Sequence, residues 1–550
     1  MKTSMKAASN RFHVTLVRNL IITLVSLNLV GGYFASASTG AEGGTLTIAM
    51  NSEPPNLDAS KATDTVSFFV LGHTMEGLAR YDQNGKLVPG VAESWKINDS
   101  GAVFHLRKNA KWSDGKPVVA QDFVYSWNTA VNPKTASEYA FILYNVKNGE
   151  AINTKKDPSA KLGVEATDEH TLKVTFEKPC GFFLALTTFG TYYPMRKDVH
   201  DQFGAKYAAD ADKMLYNGPY VLTKWVHGAS LHMDKNPNYW NKDAIKIAAL
   251  DVPYITSDEG AVFNLFKDHK IEAIDKLNKE TLINAQKEKF KLAKFADGFL
   301  GYLQFNFRPG RVTANKNFRK AIQAIFNPTE YVSTVVGVPG TQAGLGLIPK
   351  SLPGYKSNSY RGEFPLPAQR QNFAKAKEYL QLSLKELGMK QIPPLVWLTR
   401  DAPLEAKEAE YFQNILKNTL GIEIRIDRQI FKQRIAKQIA GDFDICSTAW
   451  GPDYNDPMTF ADLFSSWNEN NNGKWVNPQY DALIRQAQGT ADQKTRMTKM
   501  SEAEKILMEE LPMVPLYERT VMYTSSPNVK GIVRRAVGFD PDYRYAQIVK

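Results

Sequence analysis

The sequence predicts an α/β protein of at least two lobes, and three observations carry that expectation. The chain has 550 residues, whereas single hydrophobic cores stop growing near ~250–300 residues. Its composition is globular, at 43% hydrophobic, 23% charged and 11% aromatic, which excludes wholesale disorder and fibrous repeats. Between Leu404 and Cys446 helix-like and strand-like patterns alternate, the order that builds α/β sheets.

The elements follow in chain order. Residues 1–37 read as a cleavable signal peptide: Lys2, Lys6, Arg11 and Arg18, then the apolar run Leu20–Val30, then Ala35-Ser36-Ala37 as a small-x-small cleavage site. No cysteine stands near that site, so a lipoprotein is not expected. Taking the leader's four basic residues from the formal +11 leaves +7, too mild over the remaining chain to argue for nucleic acid. No later apolar run is long enough to span a bilayer. The mature chain is therefore expected to be soluble and extracytoplasmic, in the periplasm or outside the cell.

Thr45–Met50 alternates with period two and reads as a strand, as does the segment 301–307. Asp114-Gly115 marks a turn, and Phe123 and Trp127 fall on one face of a following helix. Ala409, Phe412, Ile415, Leu416 and Leu420 fall three or four apart and form one helical stripe, which Gly421 stops. Ile422, Ile424 and Ile426 alternate with charged residues as a half-buried strand. Phe431–Ala440 is helix-like, and Phe443–Cys446 reads as a short strand. Residues 336–370, rich in Gly, Pro and Ser, read as a long surface excursion.

Catalytic chemistry finds little support. The eight histidines make no close ligand pair except His227 and His232, and metal sites need several ligands at regular spacing. There is no nucleophile elbow and no phosphate-binding loop. Cys180 and Cys446 allow at most one bridge. No metal, no cofactor and no enzymatic step is expected.

Four groups of segments carry a resemblance. They are Val91–Trp95 running through Phe104–Lys108 and Trp112–Val118 to Asp122–Trp127; Tyr216–Tyr220 running to Asn236–Trp240; Asn317–Ile322; and Ala449–Pro457. Together and in this order they resemble the extracytoplasmic solute-binding proteins that serve oligopeptide ABC importers. The resemblance implies a two-lobed periplasmic-binding-protein-like fold with an extra domain, mixed sheets and a ligand cleft between lobes. It implies a discontinuous first lobe at 38–72, 215–305 and 520–550, an extra domain at 73–214 and a second lobe at 306–519, with crossings near Phe305 and Tyr517. It also implies a monomer that captures peptides and delivers them to membrane permease subunits. Within the same fold a dipeptide, a metal chelate, haem or a sugar is the alternative ligand. A secreted hydrolase or a cell-surface receptor is the alternative outside it.

The best candidate site is the loop after the strand at 443–446, because open α/β lobes present ligand groups beyond strand C-termini. Gly451 permits close backbone approach, Pro452 stiffens the turn, and Trp450 and Tyr454 offer flat walls. Asp456 before Pro457 fits a helix N-cap. The resemblance places Asp453 where the family binds a peptide ammonium, with Ala449 beside it. It aligns Glu53 with a cleft carboxylate, Tyr144 with a ligand-facing tyrosine, Phe431 with a cleft tryptophan and Asn306 with hinge backbone. Gly301 and Gly451 stand where some relatives carry a disulfide. Cys180 would fall in the extra domain and Cys446 in the second lobe, where a bridge would pin the moving lobes, so both are expected as free thiols. Ser447 replaces a basic side chain that in a relative receives a peptide C-terminus.

Overall fold

The computed structural model describes residues 43–549. The expected leader at 1–37 lies outside the described residues. Among the described residues, no helix is long and apolar enough to cross a membrane.

Three sheets organise the chain. Thr45–Met50 pairs in parallel with Ala249–Ile255, which continues antiparallel to Ser230–Lys235 and Tyr220–Val226. A second, antiparallel sheet runs in the order Ala92–Asn98, Gly101–Leu106, Thr171–Thr175, Val164–Asp168. Over it the helix Ala120–Val131 buries Phe123 and Trp127 completely. The indole of Trp127 donates to the Tyr192 carbonyl at 3.0 Å, and that of Trp112 to Asp122 at 2.9 Å. Each ring thus places its apolar body in the core while satisfying its one donor.

The third sheet has seven strands. Its spine runs Ala273–Leu277, Met513–Ser525, Ala293–Phe305, Ile445–Trp450, Leu395–Arg400, Ile424–Gln429. The last three are parallel to one another. The helix Pro403–Leu420 forms as its stripe predicts: Ala409, Phe412, Leu416 and Leu420 are buried, and Gly421 ends it at φ +67°, which is costly for any residue with a Cβ. The helix Phe431–Ala440 has the expected bounds. The following strand does not: it runs Ile445–Trp450, four residues past the expected end. Its extension pairs Thr448, Ala449 and Trp450 with Tyr302, Gly301 and Leu300. Those partners lie 146 to 150 residues away in sequence, so local pattern could not signal them.

The two thirteen-residue strands Ala293–Phe305 and Met513–Ser525 are antiparallel partners. One half of the pair joins Ala273–Leu277 and the other joins Ile445–Trp450. Their register shifts between Ala296 and Leu300. There Gly298 takes φ +77°, and Asp297 accepts from Arg519 at 2.6 Å across the pair. Phe305 and Tyr517 lie inside the paired region beyond this break.

The segment 336–370 runs largely at the surface, with Lys350, Lys356, Ser357 and Arg370 exposed, but it is anchored. Leu347, Ile348, Leu352 and Tyr360 are buried, and Gln342–Ala343 adds a short strand against Met513–Ser525. Buried Glu504 accepts from the Ile348 amide and pairs with Arg361, which pins the segment. Residues 306–519 contribute to two hydrophobic clusters. Phe318, Phe412 and Trp397 belong to one cluster, whereas Tyr454, Phe464 and Tyr480 pack with the cluster of Leu46, Phe104 and Phe183. Both cysteines are buried and unpaired.

Asp456 does more than cap. Its Oδ1 accepts from the Met458 amide at 2.9 Å, as a capping group should. Both its oxygens also meet the guanidinium of Arg496, at 2.7 and 3.0 Å, and the Arg496 side chain is 1% exposed. Removing one partner of a buried pair strands the other charge. Asp456→Ala is therefore expected to cost about 3–5 kcal/mol in denaturant unfolding. A loss near ~1 kcal/mol would show that only the cap matters.

Candidate functional site

A cavity of about 430 Å³ opens at the C-terminal edge of the parallel strands, a size suited to a small ligand. Ala449, Trp450, Gly451 and Asp453 line one side and Phe431 another. The opposite wall comes from Asn51, Asp64, Phe68 and Phe69, and from Glu138, Tyr139 and Phe189. The chain therefore brings distant segments together around one space. The mouth is held by cross-links. Arg400 donates to the Asn51 carbonyl at 3.1 Å and to Ser52 at 3.2 Å, Ser257 donates to the Asp401 carbonyl at 3.2 Å, and Lys407 pairs with Glu280 at 2.6 Å.

The glycines at 301 and 451 have steric reasons. A Cβ on Gly451 would lie 2.4 Å from the Phe299 ring, and one on Gly301 would lie 2.5 Å from the Tyr517 ring. Aromatic packing fills the space that side chains at these positions would need.

Asp453 is the electrostatic centre. Its amide donates to Thr459 Oγ1 at 3.0 Å, which sets the loop. Its carboxyl accepts from the Tyr139 hydroxyl at 3.2 and 3.3 Å. No cation pairs with it among the described residues. Burial pushes its pKa well above the usual carboxylate range, with the Asp462 charge adding to the shift. Glu138, also on the cavity wall, is raised to about 7 by burial. This end of the cavity thus holds two carboxyls whose charge awaits a partner. Trp450 stacks on Tyr139 with centroids 6.2 Å apart, and its indole donates to the Thr459 carbonyl at 3.1 Å.

Elsewhere the wall is mixed: Arg400 and Arg434 line it together with Glu259, Glu405 and Glu408. The Phe431 ring lies between two guanidiniums, Arg400 at 5.3 Å and Arg434 at 5.8 Å. Arg434 donates to Gln438 at 2.7 Å and Thr448 at 3.3 Å. Neither arginine has a carboxylate partner among the described residues, and both line the cavity. Ser447, which replaces a basic residue of a relative, lines it too.

Four expected residues lie elsewhere. Glu53 accepts from the Trp225 indole at 3.1 Å and bonds the His227 ring at 2.6 Å, away from the cavity. The Tyr144 hydroxyl donates to Asn153 at 2.7 Å. Tyr454 is buried, stacked on Phe182 with centroids 5.5 Å apart at 6°. Asn306 is fully buried and donates to the carbonyls of Gly441 and Phe443 at 3.0 and 2.7 Å. It pins the end of its strand rather than a ligand. Tyr139, Arg400 and Arg434 were missed. Arg434 stands three residues after Phe431, on the same helical face, and that spacing was a usable signal. Tyr139 begins the aromatic run that ends at Tyr144, and nothing local tells which ring faces the cavity.

Comparison with known proteins agrees with this geometry. Residues 86–472 match the family described as bacterial extracellular solute-binding proteins, family 5 Middle. The chain is 31% identical to the oligopeptide-binding protein OppA of Bacillus subtilis, over 94% of this chain and 96% of that one. Listeria monocytogenes OppA in its peptide-bound structure superposes with a TM-score of 0.86 at 31% identity, covering 92% of this chain and 99% of that one. The unliganded open form of the murein tripeptide binding protein MppA reaches only 0.62 at 30% identity, covering 93% and 98%. The structure thus superposes better on the peptide-bound neighbour than on the unliganded open form. From the fold, the cavity and these matches together, the chain belongs to the bacterial extracellular solute-binding proteins of family 5.

Proposed function

We propose that the chain captures peptides between two closing lobes and delivers them to the permease subunits of an ABC importer. It acts outside the cytoplasmic membrane, exported by the leader at 1–37 without a lipid anchor, as a monomer with no catalytic step. Residues 38–72, 215–305 and 520–550 form its first lobe, 73–214 its extra domain and 306–519 its second lobe. The single observation that carries the proposal is Asp453, an unpaired carboxyl at the wall of a cross-linked cavity. Water solvates this group when the cleft is open. On closure that water leaves, and a peptide ammonium replaces it as partner. Arg400 and Arg434 elsewhere on the wall suit the carboxylate of the same ligand. Recognition of both termini and of backbone groups leaves side-chain selectivity broad.

Removing one partner of a desolvated ion pair costs ~3–5 kcal/mol, so Asp453→Ala weakens peptide binding by about 10²–10³-fold. Asp453→Asn is nearly as damaging. N-acetylated peptide binds the parent protein poorly and the Asn variant about as well as free peptide does, since one pair cannot be lost twice. Titration calorimetry with free and acetylated peptides reads this. If acetylation costs the parent protein nothing, Asp453 is not the ammonium receptor.

The raised Asp453 pKa adds a pH dependence. In the folded, empty protein this carboxyl holds its proton more tightly than in the unfolded chain. Its contribution favours the fold below the ordinary carboxylate pKa and is lost as pH rises through the raised value. An ammonium needs the carboxylate, so binding in that window releases a proton, and affinity rises with pH until the peptide amine itself titrates near ~8. Calorimetry in two buffers of different ionisation enthalpy detects the released proton in the parent protein and none from this site in Asp453→Asn. Proton uptake by the parent protein contradicts the assignment.

A further inference from the structure

A second cavity, of about 480 Å³, lies behind the Asp453 loop. Its walls come from two distant segments, one holding Phe141, Tyr144 and Phe182, the other Tyr454, Asp462 and Trp467, and Lys156 and Lys178 line it together with Glu150 and Glu177. Asp462 is 6% exposed and lines this space. Its main chain is fully engaged: the amide donates to the Met458 carbonyl, and the carbonyl accepts from Asn468. Its carboxylate accepts no hydrogen bond from another residue, and no cation lies within ion-pair distance, among the described residues. A buried carboxyl without a partner is expensive as an anion, and burial accordingly raises its pKa to about 8. Aromatic rings surround it, and ring faces attract cations. One of these rings already does so: the Arg485 guanidinium sits 3.7 Å from the Trp467 centroid. That guanidinium is paired with Glu150 at 2.8 Å; burial outweighs its charge, which lowers the Asp462 pKa.

We propose that this cavity is a second binding site, distinct from the cleft, for a small organic ammonium compound, with the Asp462 carboxylate pairing to the cation and the rings of Tyr144, Phe182, Tyr454 and Trp467 enclosing its apolar body. A neutral apolar ligand leaves Asp462 unpaired, and an anion meets it as a like charge. The occupant bridges the two segments that stack Phe182 on Tyr454, and Tyr454 follows Asp453 directly in the chain. Filling the site therefore steadies the loop that carries the cleft's carboxyl, and by reciprocity cleft ligand tightens the second site.

The test uses the full mature chain, stripped of bound ligand by partial unfolding and refolded. Choline and butylammonium are titrated by calorimetry, with 3,3-dimethyl-1-butanol as the uncharged counterpart of choline. The parent protein is expected to bind at least one of the two cations saturably and the alcohol at least about tenfold more weakly. Asp462→Asn is expected to lose about tenfold or more in cation affinity, while Asp453→Asn retains it. Trp467→Leu gives a second reading that decides if Asp462→Asn fails to fold by near-ultraviolet circular dichroism. No saturable cation binding, equal binding of the alcohol, or loss of binding in Asp453→Asn overturns the proposal. Peptide binding is measured on the same samples, so intact peptide binding without cation binding sinks this site alone.

Discussion

Two antiparallel strands, Ala293–Phe305 and Met513–Ser525, hold the molecule's parts in one sheet, and their register shifts between Ala296 and Leu300 and again between Gly301 and Tyr302. On one side of Asp297-Gly298-Phe299 they pair with the short strand Ala273–Leu277. On the other they pair with the parallel unit that carries the ligand loop. A regular ladder would make this junction stiff. The first shift removes ladder bonds over three residues, and Gly298 supplies a backbone conformation that side chains disfavour. Asp297 and Arg519 then replace the lost bonds by one buried charge pair, with Arg519 stacked 4.0 Å from the Phe299 centroid. Bending concentrates where few hydrogen bonds resist it. Phe299 also presses on Gly451, so the junction touches the ligand loop directly.

The cavity gathers residues from distant segments around one space. The cross-links at its mouth, Arg400 to Asn51 and Ser52 and Lys407 to Glu280, join parts that an opening motion separates. Inside, Asp453, Arg400 and Arg434 line the space, and none of the three has an ion-pair partner among the described residues. Closure alone therefore brings unpaired charge out of water, which is unfavourable. A ligand with an ammonium at one end and a carboxylate at the other reverses the sign. Differential contact with the closed state is what shifts such an equilibrium.

Much of this was legible in the sequence where the signal is local. The stripe at 404–420, its Gly421 stop and the helix 431–440 follow from spacing and a single glycine. Gly451 and Pro452 mark a turn beyond a strand, and the family resemblance singles out Asp453 on it. What failed was long-range. The strand at 445–450 extends because residues 300–305 pair with it, and 336–370 is anchored because Glu504 reaches back to it. Glu53, Tyr454 and Asn306 are taken by partners far along the chain, His227, Phe182 and the carbonyls of Gly441 and Phe443, and Tyr144 by Asn153 nine residues on. Tyr139 faces the cavity instead, five residues from the expected ring.

The central claim is that two lobes close around a peptide. Small-angle X-ray scattering of the stripped mature protein, with and without a saturating peptide mixture, tests it most directly. The account predicts that peptide lowers the radius of gyration and that the liganded curve matches the structure described above. An unchanged radius, with peptide binding verified on the same sample, would contradict closure.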